Sequence, residues 1–225
     1  VLLILILSFN FFTFEETMSY FGSGIIWLLF STFIMASAFI KTGLASRISL
    51  KMLRMSQGSG KQLIFLSFLL MFVLSLFIPS NIGKGSLVAS VLDSLVKSLK
   101  KIVSVPNLSK SLFIGVAFIV SISGAFVATG ASSTIYAFGM FGEITSQVTF
   151  LSWILYFGPP IVLFLVLLWV LFLLYFPPES VDKTLILHLI DEQIDELGRI
   201  TVPEIKVLVI IGMTKTFISG TEIKV

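Results

Sequence analysis

Between Pro79 and Ser86 the chain sets two serines, an asparagine and a lysine among Pro79, Gly83 and Gly85, directly behind the apolar run 63–78. Ser80 and Asn81 offer oxygens that suit a sodium ion, and hydroxyl and amide donors that suit a carboxylate. Residue type does not choose between those roles, and both side chains also serve as helix caps. A lysine at membrane depth costs about 2.5–3.5 kcal/mol on insertion scales, so the place of Lys84 needs a reason. Either its ammonium lines an anion cavity, or its long stem carries the charge to water. A second polar cluster, Ser121, Ser123, Gly124, Thr129, Gly130, Ser132, Ser133 and Thr134, lies inside the uncharged stretch 112–141. Small and hydroxyl residues also line ordinary helix seams. A seam recurs every three to four residues, however, whereas residues 132–134 are consecutive.

Both clusters require elements that hold polar backbone at membrane depth, where it survives only inside protein or around a water-filled cavity. Interrupted helices of this kind are where secondary transporters hold ions and substrate, because freed helix ends offer partial charges and unpaired backbone groups. The composition points to a bilayer. Of 225 residues, 56% are hydrophobic and 12% charged, with a mean hydropathy of +1.08, against roughly a quarter charged in soluble domains. Cysteine is absent and His188 is the single histidine, which excludes disulfides and thiol nucleophiles and argues against a zinc cluster. The net charge of +3 comes from basic residues flanking apolar spans, not from a nucleic-acid patch with interleaved aromatics. An enzyme would need a nucleophile or an acid/base pair at one membrane depth, and at the depth of Lys84 no carboxylate, histidine or cysteine accompanies it. Gly58-Ser59-Gly60-Lys61 lacks the earlier glycine and the following hydroxyl of a phosphate loop.

The expected class is an all-α membrane protein. Residues 1–61 read as scaffold helices and an interfacial helix. Residues 2–12 are the second part of a span whose start precedes Val1, and 21–40 is a full span after Glu15 and Glu16. The loop 41–61, with Lys41, Arg47, Lys51, Arg54 and Lys61 and no acid, is cytoplasmic by the positive-inside bias. Its Leu44, Ile48, Leu50, Met52 and Leu53 predict a helix lying on the membrane surface. The next loop, with Lys97, Lys100, Lys101 and Lys110, is again basic, so residues 62–99 are expected to form a re-entrant hairpin. One arm covers 63–78, the turn Pro79–Gly85, and the return arm 87–99; Pro79, Gly83 and Gly85 make the break. Residues 100–143 are a second broken helix, parted at Gly130. Residues 144–176 are a spanning helix kinked at Pro159 and Pro160, with Trp153, Tyr156, Trp169 and Tyr175 at the interfaces. Residues 177–202 are a cytoplasmic amphipathic segment with Leu187, Ile190, Ile194 and Leu197 on its apolar stripe. Its His188, Asp191, Glu192, Asp195 and Glu196 form a solvated face. Residues 203–225 begin a further span, and the chain reads as cut at both ends.

Taken in order, several motifs resemble one known family: Phe39-Ile40-Lys41-Thr42-Gly43-Leu44, Arg47-Ile48, the run Pro79 to Ser86, the run Ser123 to Thr134, Tyr175-Phe176-Pro177-Pro178-Glu179, and Asp195 to Thr201 with Glu204. That family is the divalent anion/sodium symporters, and more nearly its citrate/succinate and plastid 2-oxoglutarate/malate exchanger branch. The family tip reads Ser-Asn-Thr; here Ser80 and Asn81 match, Ile82 replaces the threonine, Lys84 stands where the branch has arginine, and Gly85 matches. Ser123 and Thr129 match the second pattern, and Thr134 stands where the family usually has asparagine. The resemblance implies the amino-terminal repeat of an inverted-repeat transporter, a homodimer in the plasma (inner) membrane of a prokaryote, moving di- or tricarboxylates by exchange or sodium-coupled symport. It implies substrate contacts at Ser80, Asn81, Lys84, Thr129, Ser132, Ser133 and Thr134, and ion contacts at Ser80, Asn81, Ser123 and Gly124. Sodium is the one ion it allows for; no cofactor and no nucleic acid are expected. Lys84 then either pairs with a substrate carboxylate or supplies the charge that sodium supplies in symporters. The alternatives are an inorganic anion such as sulfate, and a half-protein or fragment that does not transport.

Overall fold

In the computed structural model, which describes residues 5, 8, 9, 11–144 and 148–220, every regular element is an α-helix. In chain order these are α1 (Phe14–Phe21), α2 (Gly24–Lys41), α3 (Leu44–Arg54), α4 (Gly60–Ser75), α5 (Asn81–Lys100), α6 (Pro106–Gly124), α7 (Ser132–Ile144), α8 (Phe150–Tyr175), α9 (Lys183–Glu196) and α10 (Val202–Gly220). Helices α2, α6 and α8 are long and apolar enough to cross a bilayer, and α8 continues unbroken through Pro159 and Pro160. Most of the expected remnant span 2–12, and the end of the expected last span, lie outside the described residues.

The core lies where α6 packs along α4 and α5, with α8 closing over α4 and α6. Phe68, Met71, Leu92, Leu112 and Ile119 are fully buried there. Edge-to-face ring pairs bind the layers: Phe68 against Phe172 with centroids 5.8 Å apart, and Phe72 against Phe126 at 5.4 Å. By contrast, Trp27, Phe30 and Ile34 of α2 and Leu155, Leu163 and Leu174 of α8 are uncovered, as apolar faces turned to lipid would be.

Several expectations need correction. Helix α3 does not lay its apolar side on a membrane: Leu44, Leu50 and Leu53 are buried because α3 packs on α2, α4, α5 and α9. Gly83 and Gly85 do not form the turn after α4. They lie in the first turns of α5, which begins at Asn81 because Ser80 caps the Gly83 N–H. Trp153 is not interfacial: it is buried and donates its indole N–H to the Ala125 carbonyl at 3.0 Å. On α9 the buried residues are Ile186, Leu189 and Ile190, a stripe rotated from the one read in the sequence; His188 is exposed.

Candidate functional site

Helix α4 gives way at Ser75 because Pro79 cannot donate to a helix and disfavours helical backbone at Ile78. The chain closes with short bonds, Phe77 N–H to the Leu74 carbonyl at 3.0 Å and Ile78 N–H to the same carbonyl at 2.8 Å. Phe77 stacks on Phe39 at 5.0 Å between centroids, fixing the turn against α2. Ser80 is extended, and its hydroxyl oxygen accepts from Gly83 N–H at 3.1 Å, satisfying one free amide of α5. That capping places Lys84 on the first turn of α5, facing inward.

Lys84 is fully buried. Its ammonium donates to Ser75 Oγ at 2.5 Å and to the Gly130 carbonyl at 3.2 Å. Among the described residues no carboxylate pairs with it, and with three N–H groups and two acceptors one donor remains. The snorkelling alternative fails here: the stem runs inward to the helix break, not outward.

The break itself follows from two close approaches. Helix α6 ends at Gly124, where Ala125 and Phe126 donate to the Ile122 and Ser123 carbonyls, and α7 restarts at Ser132. A Cβ on Gly130 would stand 2.5 Å from the Gly124 carbonyl oxygen, and one on Gly124 would stand 2.7 Å from Asn81 Oδ1. Neither position tolerates a side chain without a shift. The Asn81 oxygen is buried without a hydrogen-bond partner, over the carbonyl-bearing end of α6, where the helix dipole is negative. An orphaned amide oxygen against a carbonyl end is unfavourable alone and fits a cation bound between them. Thr134 closes the far side, accepting from Ala131 N–H at 3.0 Å and donating to the Ala131 carbonyl at 2.7 Å and the Gly124 carbonyl at 3.4 Å. Trp153 holds the break from α8.

The structure thus gathers Ser80, Asn81, Lys84, Gly124, Gly130 and Thr134. Ser123 is buried with its hydroxyl on the Val120 carbonyl, next to the cluster but turned to its own helix. Thr129 is half-buried and Ser132 and Ser133 are exposed, and none of the three bonds to Lys84. Pro79 lies in the turn.

Two features escaped the sequence reading. Ser75 is one of two hydroxyls in the apolar helix α4, and only the fold brings it to Lys84. Arg47 reads as a positive-inside marker, yet it is buried: its guanidinium donates to Glu204 Oε1 at 2.8 Å and to the carbonyls of Gly198, Leu197 and Arg199 at 2.9, 3.2 and 3.3 Å. The recurrence of both residues in one set of motifs was the available signal. Glu179 plays a similar part, its carboxylate accepting from the N–H groups of Asn107 at 2.7 Å and Leu108 at 3.1 Å at the start of α6.

The model of the family described as sodium:sulfate symporter transmembrane region matches residues 1–223. The chain is 26% identical over 193 residues to the citrate/succinate antiporter of Escherichia coli (strain K12), covering 80% of this chain and 38% of the relative. It is 32% identical over 99 residues to the L-tartrate/succinate antiporter of the same strain, covering 42% of this chain and 19% of the relative. An uncharacterized transporter of Haemophilus influenzae (strain ATCC 51907 / DSM 11121 / KW20 / Rd) is 27% identical over 202 residues, covering 85% and 41%. The chain spans well under half the length of these relatives.

Proposed function

Since the chain belongs to the sodium:sulfate symporter family, the divalent anion/sodium symporters its motifs resemble, we propose that it supplies one side of an anion site through which di- or tricarboxylates cross the membrane by exchange or sodium-coupled symport. It is a multi-pass integral membrane protein, expected in a bacterial inner membrane and as a homodimer. The observation that carries the reading is the Lys84 ammonium, buried with one N–H free and no carboxylate partner among the described residues. A buried positive charge without a counter-ion is costly, and an anionic substrate lifts that cost when it binds. The names of the relatives, which specify citrate, succinate and tartrate, favour carboxylates over sulfate.

Helices α4 and α5 act in this account as a re-entrant hairpin meeting the break between α6 and α7, with a second, inverted repeat completing the site. Alternating access moves hairpin and break together against the scaffold. A sodium ion taken as co-substrate has the unpartnered Asn81 oxygen and the α6 carbonyl end as ligands, and the fixed charge of Lys84 favours exchange, because a tethered cation cannot leave with the substrate. The test is uptake of labelled succinate, citrate and sulfate into liposomes holding the full-length protein, with and without internal succinate and with sodium replaced by choline. Succinate uptake that needs internal dicarboxylate establishes exchange, and uptake that needs a sodium gradient establishes symport. Transport of sulfate alone, or of nothing, contradicts the proposal.

A further inference from the structure

Ser75 is the last residue of α4, fully buried, and its hydroxyl donates to the Met71 carbonyl at 2.8 Å. With its proton committed there, the oxygen presents lone pairs to whatever lies opposite, and what lies opposite is the Lys84 ammonium at 2.5 Å. Back-bonding by a buried serine is ordinary in helices: Ser49, Ser67 and Ser123 do the same to Ala45, Ile64 and Val120. None of those three receives a charge. Ser75 differs because α5 enters beside it and Lys84 reaches back across the turn.

We propose that Ser75 is a positioning residue of the anion site: together with the Gly130 carbonyl it holds the Lys84 ammonium so that one N–H stays free for a substrate carboxylate. The inference rests on the anion-site reading and adds a residue to it. A lysine stem has four rotatable bonds, and a single acceptor leaves the ammonium free to swing about it. Two acceptors from different elements, α4 and the break, fix its direction. Gly130 belongs to the irregular segment and Ser75 to the packed core of α4, so Ser75 is the fixed point of the pair.

The experiment is succinate uptake by the full-length protein in liposomes for wild type, Ser75→Ala, Ser75→Thr and Lys84→Gln, with thermal melting of each. Ser75→Ala is expected to raise KM about tenfold, the scale of a lost hydrogen bond to a charged group, with the maximal rate within about twofold. Ser75→Thr keeps the hydroxyl and is expected to restore the wild-type KM, an outcome that loss of packing alone does not give. Where Ala lowers the folded yield, Ser75→Cys keeps the volume with a weak acceptor and should show the same KM rise. A wild-type KM in Ser75→Ala or Ser75→Cys, in a protein that Lys84→Gln impairs, overturns the role of Ser75 and leaves the anion site standing. Unimpaired uptake by Lys84→Gln overturns the anion site and the inference with it.

Discussion

Arg47 and Lys84 are both buried cations, and their surroundings differ in kind. Arg47 meets a carboxylate and three carbonyls that close the α9–α10 corner onto α3, and Glu204 is itself tied to Thr201 N–H at 2.6 Å. The Glu204 carboxylate compensates that charge inside the protein. Lys84 meets one hydroxyl and one carbonyl and, among the described residues, no carboxylate. The first arrangement is a clasp. The second carries a cost that its surroundings do not offset, which makes it the candidate for completion by a ligand.

Removing the two cations should therefore have different consequences for stability. Arg47→Met strands the Glu204 carboxylate and should destabilise the protein by about 3–5 kcal/mol, read as a lower melting midpoint in detergent. The double variant Arg47→Met/Glu204→Met should recover most of the loss. Gly130→Ala forces a methyl group onto the Gly124 carbonyl, 2.5 Å away, and should cost about 1–3 kcal/mol; an unshifted melting midpoint would show that the break is looser than described. Lys84→Met replaces an uncompensated charge with a side chain of similar length and should leave the midpoint unchanged or raise stability by about 1 kcal/mol. A fall comparable to that of Arg47→Met would make Lys84 a second clasp and erase the comparison.

The smallest effect concerns Glu179. Burial pushes its carboxyl up, but the N–H groups of Asn107 and Leu108 and the nearby Lys110 charge outweigh this and hold it below the usual carboxylate range. A carboxyl lowered on folding contributes stability above its unfolded pKa and loses it as pH falls through the lowered value. Glu179→Gln should therefore cost about 1 kcal/mol near neutral pH, the scale of a helix cap, and flatten the acid side of the stability profile. An acid side as steep as that of wild type would mean Glu179 does not carry the effect.

The sequence showed the two polar interruptions because proline, glycine and consecutive hydroxyls are local signals that no apolar span needs. It misplaced the turn by several residues: helix capping by Ser80 depends on one backbone angle, so Gly83 and Gly85 looked like breakers while serving inside α5. Ser75 was invisible as a site residue, since only the fold sets it opposite Lys84; Asn81 was legible as a candidate ligand, and only the orphaned state of its oxygen beside Gly124 had to come from the packing. Periodicity identified α3 as amphipathic, but the same stripe suits lipid or protein, and only the packing of α9 and α5 against it decides.

The most direct test of the account is the affinity of the purified full-length protein for succinate, measured by calorimetry for wild type and Lys84→Gln. If the buried ammonium receives the substrate, Lys84→Gln should weaken binding about tenfold or more while the melting midpoint holds. Equal affinities would contradict the claim and return Lys84 to a structural link from α5 to Ser75 of α4 and to the break.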